Sequence, residues 1–328
     1  MAKKKLKTND YVALSAYLRA KEARLLSHEA IERMLVEPNF AEAARAAADA
    51  GYADMSELDV AGINAALDAR RRDEIDELRQ MLPDKDLLTL VSLQFDCHNA
   101  KVLVKSEGDE AKAEALWSPA GIYTPDQLRE VYGSEFGAGE LTADFADAIR
   151  EAKLTLARTG NPQIADFLLD KAYFAELLAR AKETGRKFFV DYVKARIDKV
   201  NLRSLLRTLS LPRRGELLAN ALIDGGTVDL DQMRDAAMTR DDTIKLFAPT
   251  IFAGAAEKTD MTEFEKAADN AEKEFVTSCA LISFGPEVVL EYISALENEI
   301  MSLRILLTGK RMGIDADTLR ERLRESYV

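Results

Sequence analysis

Apolar residues recur every three to four positions through most of the chain, and this period predicts helices almost throughout. Tyr11 to Leu26 carries one apolar side, with Arg19, Lys21, Glu22 and Arg24 on the rest. Ser27 is the expected N-cap of a helix to Leu35, with Ala30 where a capping-box acid would sit. Pro38 and the Gly51–Tyr52 pair break the following stretch, and Gly62 to Met81 reads as a long charged amphipathic helix ending before Pro83. Another helix is expected over Leu87 to Lys105, before turns marked by Gly108, Pro119, Gly121 and Pro125 and a break over Gly133 to Gly139. Beyond these, the pattern predicts helices over 141–158, 162–183, 186–209, 214–223, 230–238, 240–257, 260–279, 285–308 and 315–326. Strand signals are nearly absent. Roughly two thirds to three quarters of the chain is expected in helix, far above the usual share.

One pattern recurs three times within this helical background, spaced by about 100 residues: an acid, two residues, Asn or Ser, one residue, then Lys or Arg. The copies are Asp96, Asn99 and Lys101; Asp198, Asn201 and Arg203; and Glu299, Ser302 and Arg304. The positions four, seven and eight beyond each acid are always apolar: Ala100, Leu103 and Val104; Leu202, Leu205 and Leu206; Leu303, Leu306 and Leu307. On a helix these fall within about 100° of arc that includes the acid, while the basic residue points away.

A Gly-led turn and a capped short helix follow each copy. Gly121 to Leu128 matches Gly226 to Met233, and Gly313 to Leu319 is one residue shorter. Three copies of one helical unit are therefore expected, over 8–130, 131–235 and 236–328, the third truncated after its long helix. A carboxylate at the edge of a packed face must find donors, so each repeated acid is expected to tie its helix to a neighbouring turn, with the Asn supplying donor and acceptor. Three equivalent ligand sites are the functional alternative, and no metal-type cluster accompanies the acids.

With 328 residues, the chain is long enough for two or three domains. Its net charge of -12 repels a phosphate backbone, so nucleic-acid binding is not expected. The basic start, Met1 to Lys7, reads as a solvated terminus, with contact to anionic headgroups as the alternative. No apolar run is long enough to span a bilayer, and no apolar segment follows the first lysines as a secretory signal would require. Cys97 and Cys279 lie far apart inside helical patterns and read as buried thiols in a reducing compartment, which places the chain in the cytoplasm.

Candidate chemistry is sparse. The two histidines, His28 and His98, make a His-rich metal site or a His-based triad awkward, and adjacent Cys97 and His98 diverge on a helix. Leu307-Thr308-Gly309-Lys310 lacks the strand and glycines of a phosphate loop. The charges from Arg70 to Leu78 have the spacing of a solvated helix face, and Trp117 before Ser118-Pro119 reads as a packing anchor. No catalytic residue, cofactor, metal or small-molecule substrate is expected.

Several segments carry a family resemblance. They are Tyr17 to Leu26; Asp170-Lys-Ala-Tyr173-Phe174 followed by Asp198 to Arg207; and Phe284 to Glu287 followed by Glu299 to Arg304. In order, spacing and threefold recurrence these resemble the C subunits of the prokaryotic rotary ATPases of the vacuolar/archaeal type (V-type and A-type), whose eukaryotic relatives are the V-ATPase d subunits. The likeness runs from about Tyr11 to Leu319. Departures lie in the first copy, which ends Asn-Ala-Lys where the family carries an Asn-Leu-Arg-like end, and in the third, with Ser302 for Asn.

The resemblance implies an all-α fold of three similar domains with pseudo-threefold symmetry, arranged as a funnel. It implies a non-catalytic central-stalk subunit at the cytoplasmic face of a membrane, seated on the proteolipid rotor ring. Its cavity would receive the central shaft subunits, of D and F type, and pass torque between ATP hydrolysis or synthesis and proton or sodium transport. Arg19, Lys21, Arg24, Arg196 and Lys199 are then candidate shaft-facing residues, with Arg203 and Arg304 as further contributors. Two rival readings stay open from the residues alone: a helical-repeat scaffold of another assembly, and an all-helical enzyme using a buried carboxylate pair.

Overall fold

The computed structural model describes residues 7–324, except 85, 115, 210, 212, 213, 236 and 237, and gives no side-chain placement at 86, 279 and 280. Every regular element among the described residues is helical. In chain order they are α1 (Val12–Glu22), α2 (His28–Val36), α3 (Phe40–Asp49), α4 (Val60–Met81), α5 (Asp86–Lys105), α6 (Glu110–Glu114), α7 (Pro125–Gly133), α8 (Ala143–Thr159), α9 (Pro162–Glu183), α10 (Lys187–Thr208), α11 (Arg214–Ala221), α12 (Leu230–Met233), α13 (Arg240–Phe247), α14 (Ala253–Ala256), α15 (Met261–Thr277), α16 (Pro286–Arg311) and α17 (Ala316–Arg322). Short 3₁₀ turns, Thr8–Tyr11 and Ser278–Leu281, precede α1 and follow α15.

The helix starts follow local chemistry. Ser27 caps α2 by accepting from Ala30 N–H at 3.3 Å. Asn161 accepts from Gln163 N–H at 3.0 Å, and Pro162 occupies the first turn of α9, where its missing N–H leaves no gap. Thr124 and Gln127 form a reciprocal capping box at the start of α7, with bonds of 3.3 and 2.8 Å.

Several expected helices end early, the one over 230–238 already at Met233. The stretch over 240–257 is two helices, because Pro249 has no N–H with which to continue the ladder past Phe247. Instead of running to Leu26, α1 stops at Glu22: the Arg24 and Leu25 N–H groups turn back to the Lys21 and Glu22 carbonyls, and the Leu26 N–H goes to a distant carboxylate.

The chain forms two compact units. One spans Asp86–Lys258; the other combines Met1–Lys85 with Thr259–Val328. In the continuous unit α9 packs against α5, α8 and α10. Phe145, Leu169, Phe189, Val193, Leu202 and Leu205 are fully enclosed there, each apolar side chain contributing about 1.5–3 kcal/mol relative to exposure. In the two-segment unit α16 packs against α1, α2, α3 and α4, around Leu35, Met55, Ile63, Leu67, Ile300 and Leu303.

Candidate functional site

The three repeated acids lie on α5, α10 and α16. All are buried, as are the nine apolar residues that follow them on the same arcs. Asp96 accepts the Ile122 N–H with both oxygens at 2.9 and 3.0 Å, and the Tyr123 N–H at 3.0 Å. Asp198 repeats the arrangement. The Thr227 N–H reaches both of its oxygens at 2.9 and 3.1 Å, the Val228 N–H donates at 3.2 Å, and the Thr227 hydroxyl adds a short bond. Charge-assisted bonds of this kind satisfy a carboxylate that burial would otherwise penalise.

The side-chain amides complete each tie. Asn99 donates to Ser118 carbonyl at 2.9 Å and accepts from Ser118 N–H at 2.8 Å. Asn201 brackets Ile223 in the same two directions, both at 2.8 Å. Ser302, also buried, is too short to bridge a peptide both ways.

The third acid departs from the sequence reading. The Gly313–Leu319 turn forms, with Asp315 capping α17, yet Glu299 takes its donors elsewhere. Leu26 N–H makes a short bond to Oε2, and Tyr52 hydroxyl donates to Oε1 at 2.6 Å. Leu26 immediately precedes the N-cap Ser27, just as Tyr123 precedes Thr124 and Val228 precedes Asp229. Four residues beyond each cap stand Ile31, Leu128 and Met233, all buried. The α2 segment from the start of the chain therefore completes the third repeat. The signal, a capped helix after Leu25-Leu26, was present in the sequence, but no glycine marks it.

A polar network surrounds Glu299. Lys21 Nζ lies 2.5 Å from both Glu74 and Glu77. Arg70 and the Tyr292 hydroxyl each reach Glu74 at 2.8 Å, and Tyr17 makes a short bond to Glu77. The Arg70 guanidinium stands 5.6 Å from the centre of the Tyr52 ring. Burial raises the Glu299 carboxyl above the ordinary glutamate range, against the pull of Tyr52, Leu26 and Arg70. Burial likewise raises Asp198 despite its donors. Glu77 moves the other way, held low first by its bond from Lys21 and then by Tyr17.

The remaining sequence candidates are dispersed. Arg19 pairs with Glu22 at 2.7 Å and Glu291 at 2.8 Å, and Lys21 is held in the network above. Arg24 is exposed just past α1. Arg196, on α10 with half-buried Lys199 and Arg203, reaches Gln94 at 3.2 Å. Lys101 pairs with Asp170 at 2.6 Å, and Arg304 with Asp68 at 2.7 Å. Cys97 is buried, which pushes its thiol up, and the Cys279 side chain lies outside the described residues. Among the described residues no cluster of three or more His, Cys, Asp or Glu could hold a metal ion, and no helix is long and apolar enough to cross a membrane.

These carboxylates face backbone N–H groups, hydroxyls and cations of their own chain, an arrangement that holds helices in register. Comparison with known proteins gives that arrangement its setting. The family model described as ATP synthase (C/AC39) subunit matches residues 14–322. The C subunit of the V-type sodium ATPase of Enterococcus hirae is 22% identical over 97% of this chain and 99% of its own length. The C subunit of the A-type ATP synthase of Methanosarcina acetivorans is 24% identical over 98% of this chain and 94% of its own. The C subunit of the V-type ATP synthase of Thermus thermophilus is 20% identical over 95% and 98%. The chain belongs to the ATP synthase (C/AC39) subunit family, and it is a non-catalytic, all-helical stalk subunit of a V/A-type rotary ATPase.

Proposed function

We propose that this subunit sits at the cytoplasmic face of the membrane on the proteolipid rotor ring and receives the end of a central shaft of D- and F-type subunits. It passes torque between ATP hydrolysis or synthesis and the movement of protons or sodium ions. One observation carries the reading: the family match covers residues 14–322, and the Enterococcus hirae C subunit is matched over 99% of its own length, so the likeness is not confined to a shared module. The Enterococcus hirae relative bears a sodium ATPase name, which makes sodium one of the two ions to test.

The proposal includes three similar helical domains in pseudo-threefold order, forming a funnel, near the boundaries 8–130, 131–235 and 236–328. The buried ties at Asp96, Asp198 and Glu299 support it as equivalent fastenings of three units, the third borrowing α2. Rigidity is what a torque-bearing part requires, and each tie fixes a helix to a turn through several charge-assisted bonds. Arg19, Lys21, Arg24, Arg196 and Lys199 are the basic residues we assign to the shaft; Arg19 and Lys21 also hold Glu291 and Glu74 within the fold.

Gentle solubilisation of native membranes containing the tagged subunit tests the reading. The ring subunit and soluble shaft subunits should co-purify with it, and membranes lacking it should lose ATP-driven ion pumping. Recovery of a different assembly with pumping intact would overturn it.

A further inference from the structure

Between α7 and α8 the chain makes a loop, Ser134 to Glu140, whose Phe136 is 85% exposed. Positive φ angles of 87° at Gly137 and 56° at Gly139 shape the loop, a conformation that glycine adopts without steric cost.

It is braced from below. Arg150 on α8 donates to the Ser134 carbonyl at 3.2 Å, makes a short bond to the Gly137 carbonyl, and pairs with Asp147 at 2.6 Å. Lys153 holds the Tyr132 carbonyl at 2.8 Å, and Leu141, buried behind the loop, donates to the Ala138 carbonyl at 2.9 Å. The aromatic ring is thus held out by a fixed backbone. One turn along α8 from Arg150, Leu154 is 63% exposed.

The surroundings are acidic. Glu130, Glu135, Glu140, Asp144, Asp147 and Glu151 are all exposed, while Arg150 and Lys153 are half-buried and spent on the loop. A projecting aromatic rimmed by one sign of charge has the make-up of a docking anchor: apolar contact at the centre, electrostatic steering at the edge. The rim repels anionic lipid headgroups and nucleic acid and fits a partner that is basic around an apolar recess.

Resting on the ring-seated reading above, we propose that this Phe136 loop docks against the aqueous loops of the membrane-embedded ring. Cytoplasmic loops of membrane proteins carry an excess of Lys and Arg and lie next to apolar surface, which complements an aromatic rimmed by acids.

The test compares the full-length chain with a Phe136→Ser variant and a Glu135→Lys/Glu140→Lys variant. Each is titrated against the detergent-solubilised proteolipid ring and, separately, against the purified shaft subunits. These side chains are exposed, so helix content and melting midpoint should be unchanged. The expected result is about a tenfold or greater loss of ring affinity for Phe136→Ser. The charge-reversed variant should associate more slowly, with a weaker dependence on salt, and both should bind the shaft as before. Unchanged ring binding by both variants overturns the docking assignment and leaves the ring-seated reading standing. Loss of shaft binding alone overturns it in favour of a shaft contact. A parent chain that binds neither probe defeats the ring-seated reading itself, and the assignment with it.

Discussion

At the scale of single residues, the repeated tie depends on how closely a turn can approach a carboxylate. A Cβ added at Gly121 would overlap Asp96 Oδ1, and one at Gly226 would overlap Asp198 Oδ1. These two glycines provide room. In the third copy the acid is a glutamate, one methylene longer, and the residue two positions before Leu26 is Arg24; the longer reach removes the need for glycine. Gly121→Ala and Gly226→Ala should each destabilise the chain by about 1–3 kcal/mol, by displacing a buried carboxylate from its donors. Gly133→Ala, at the end of α7 with nothing near its added Cβ, should be neutral or stabilise by up to about 1 kcal/mol, through the unfolded state. Urea denaturation of the three variants checks this, and equal midpoints would refute the close-approach account.

The pH dependence of stability is settled at the same scale. Unfolded Glu299 loses its proton near its ordinary value of 4.5, whereas the folded chain keeps it to higher pH. The native state therefore binds more protons in that window, and stability falls as pH rises through the raised value. Asp198 acts in the same direction. Glu77, held low by Lys21 and Tyr17, does the reverse: its contribution is present above the ordinary value and lost in acid. Glu299→Gln should flatten the decline on the alkaline side of pH 4.5 while leaving the acid limb. An unchanged slope between about pH 5 and 8, read by chemical denaturation, would show that another group sets it.

At the scale of elements, much of the fold is legible because helix signals are local. The 162–183 helix appears with those limits, fixed at one end by Asn161-Pro162 and at the other by the turn before Gly185. The acids, amides and nine apolar partners fall on buried arcs because a period of about 3.6 residues can be read directly from spacing. What could not be read was partner choice. Tyr52 and Leu26 lie 247 and 273 residues from Glu299 in sequence, and only packing brings them together. The same gap hid the role of Lys21. Its spacing marks a charged flank, and its binding to buried Glu74 follows from α1 crossing near α4 and α16. The early end of α1 was equally hidden: past Glu22 the chain tightens through bonds from Arg24 and Leu25 to the carbonyls three residues back, and the Leu26 N–H goes to Glu299.

At the scale of the whole molecule, the two ends of the chain are parts of one unit. Met1–Lys85 and Thr259–Val328 share a core in which Ile63 and Leu67 of α4 meet Ile300 and Leu303 of α16. Ion pairs run across the same seam: Arg71 to Glu297 at 2.7 Å and Arg320 to Glu32 at 3.1 Å. Neither segment alone can cover its apolar faces, because the surface that would cover them belongs to the other. By contrast, Asp86–Lys258 is continuous and encloses its own core. The 86–258 fragment should therefore fold alone, helical and with a cooperative melt. Fragments 1–85 and 259–328 should each be weakly helical and prone to aggregate, and should gain helix in a one-to-one mixture, as followed by circular dichroism and sedimentation. A cooperatively folded 1–85 fragment would mean that the seam is a docking interface between finished parts. If complementation is observed, load reaching either chain end enters a shared core fastened through Glu299, which is the mechanical property a torque-bearing subunit needs.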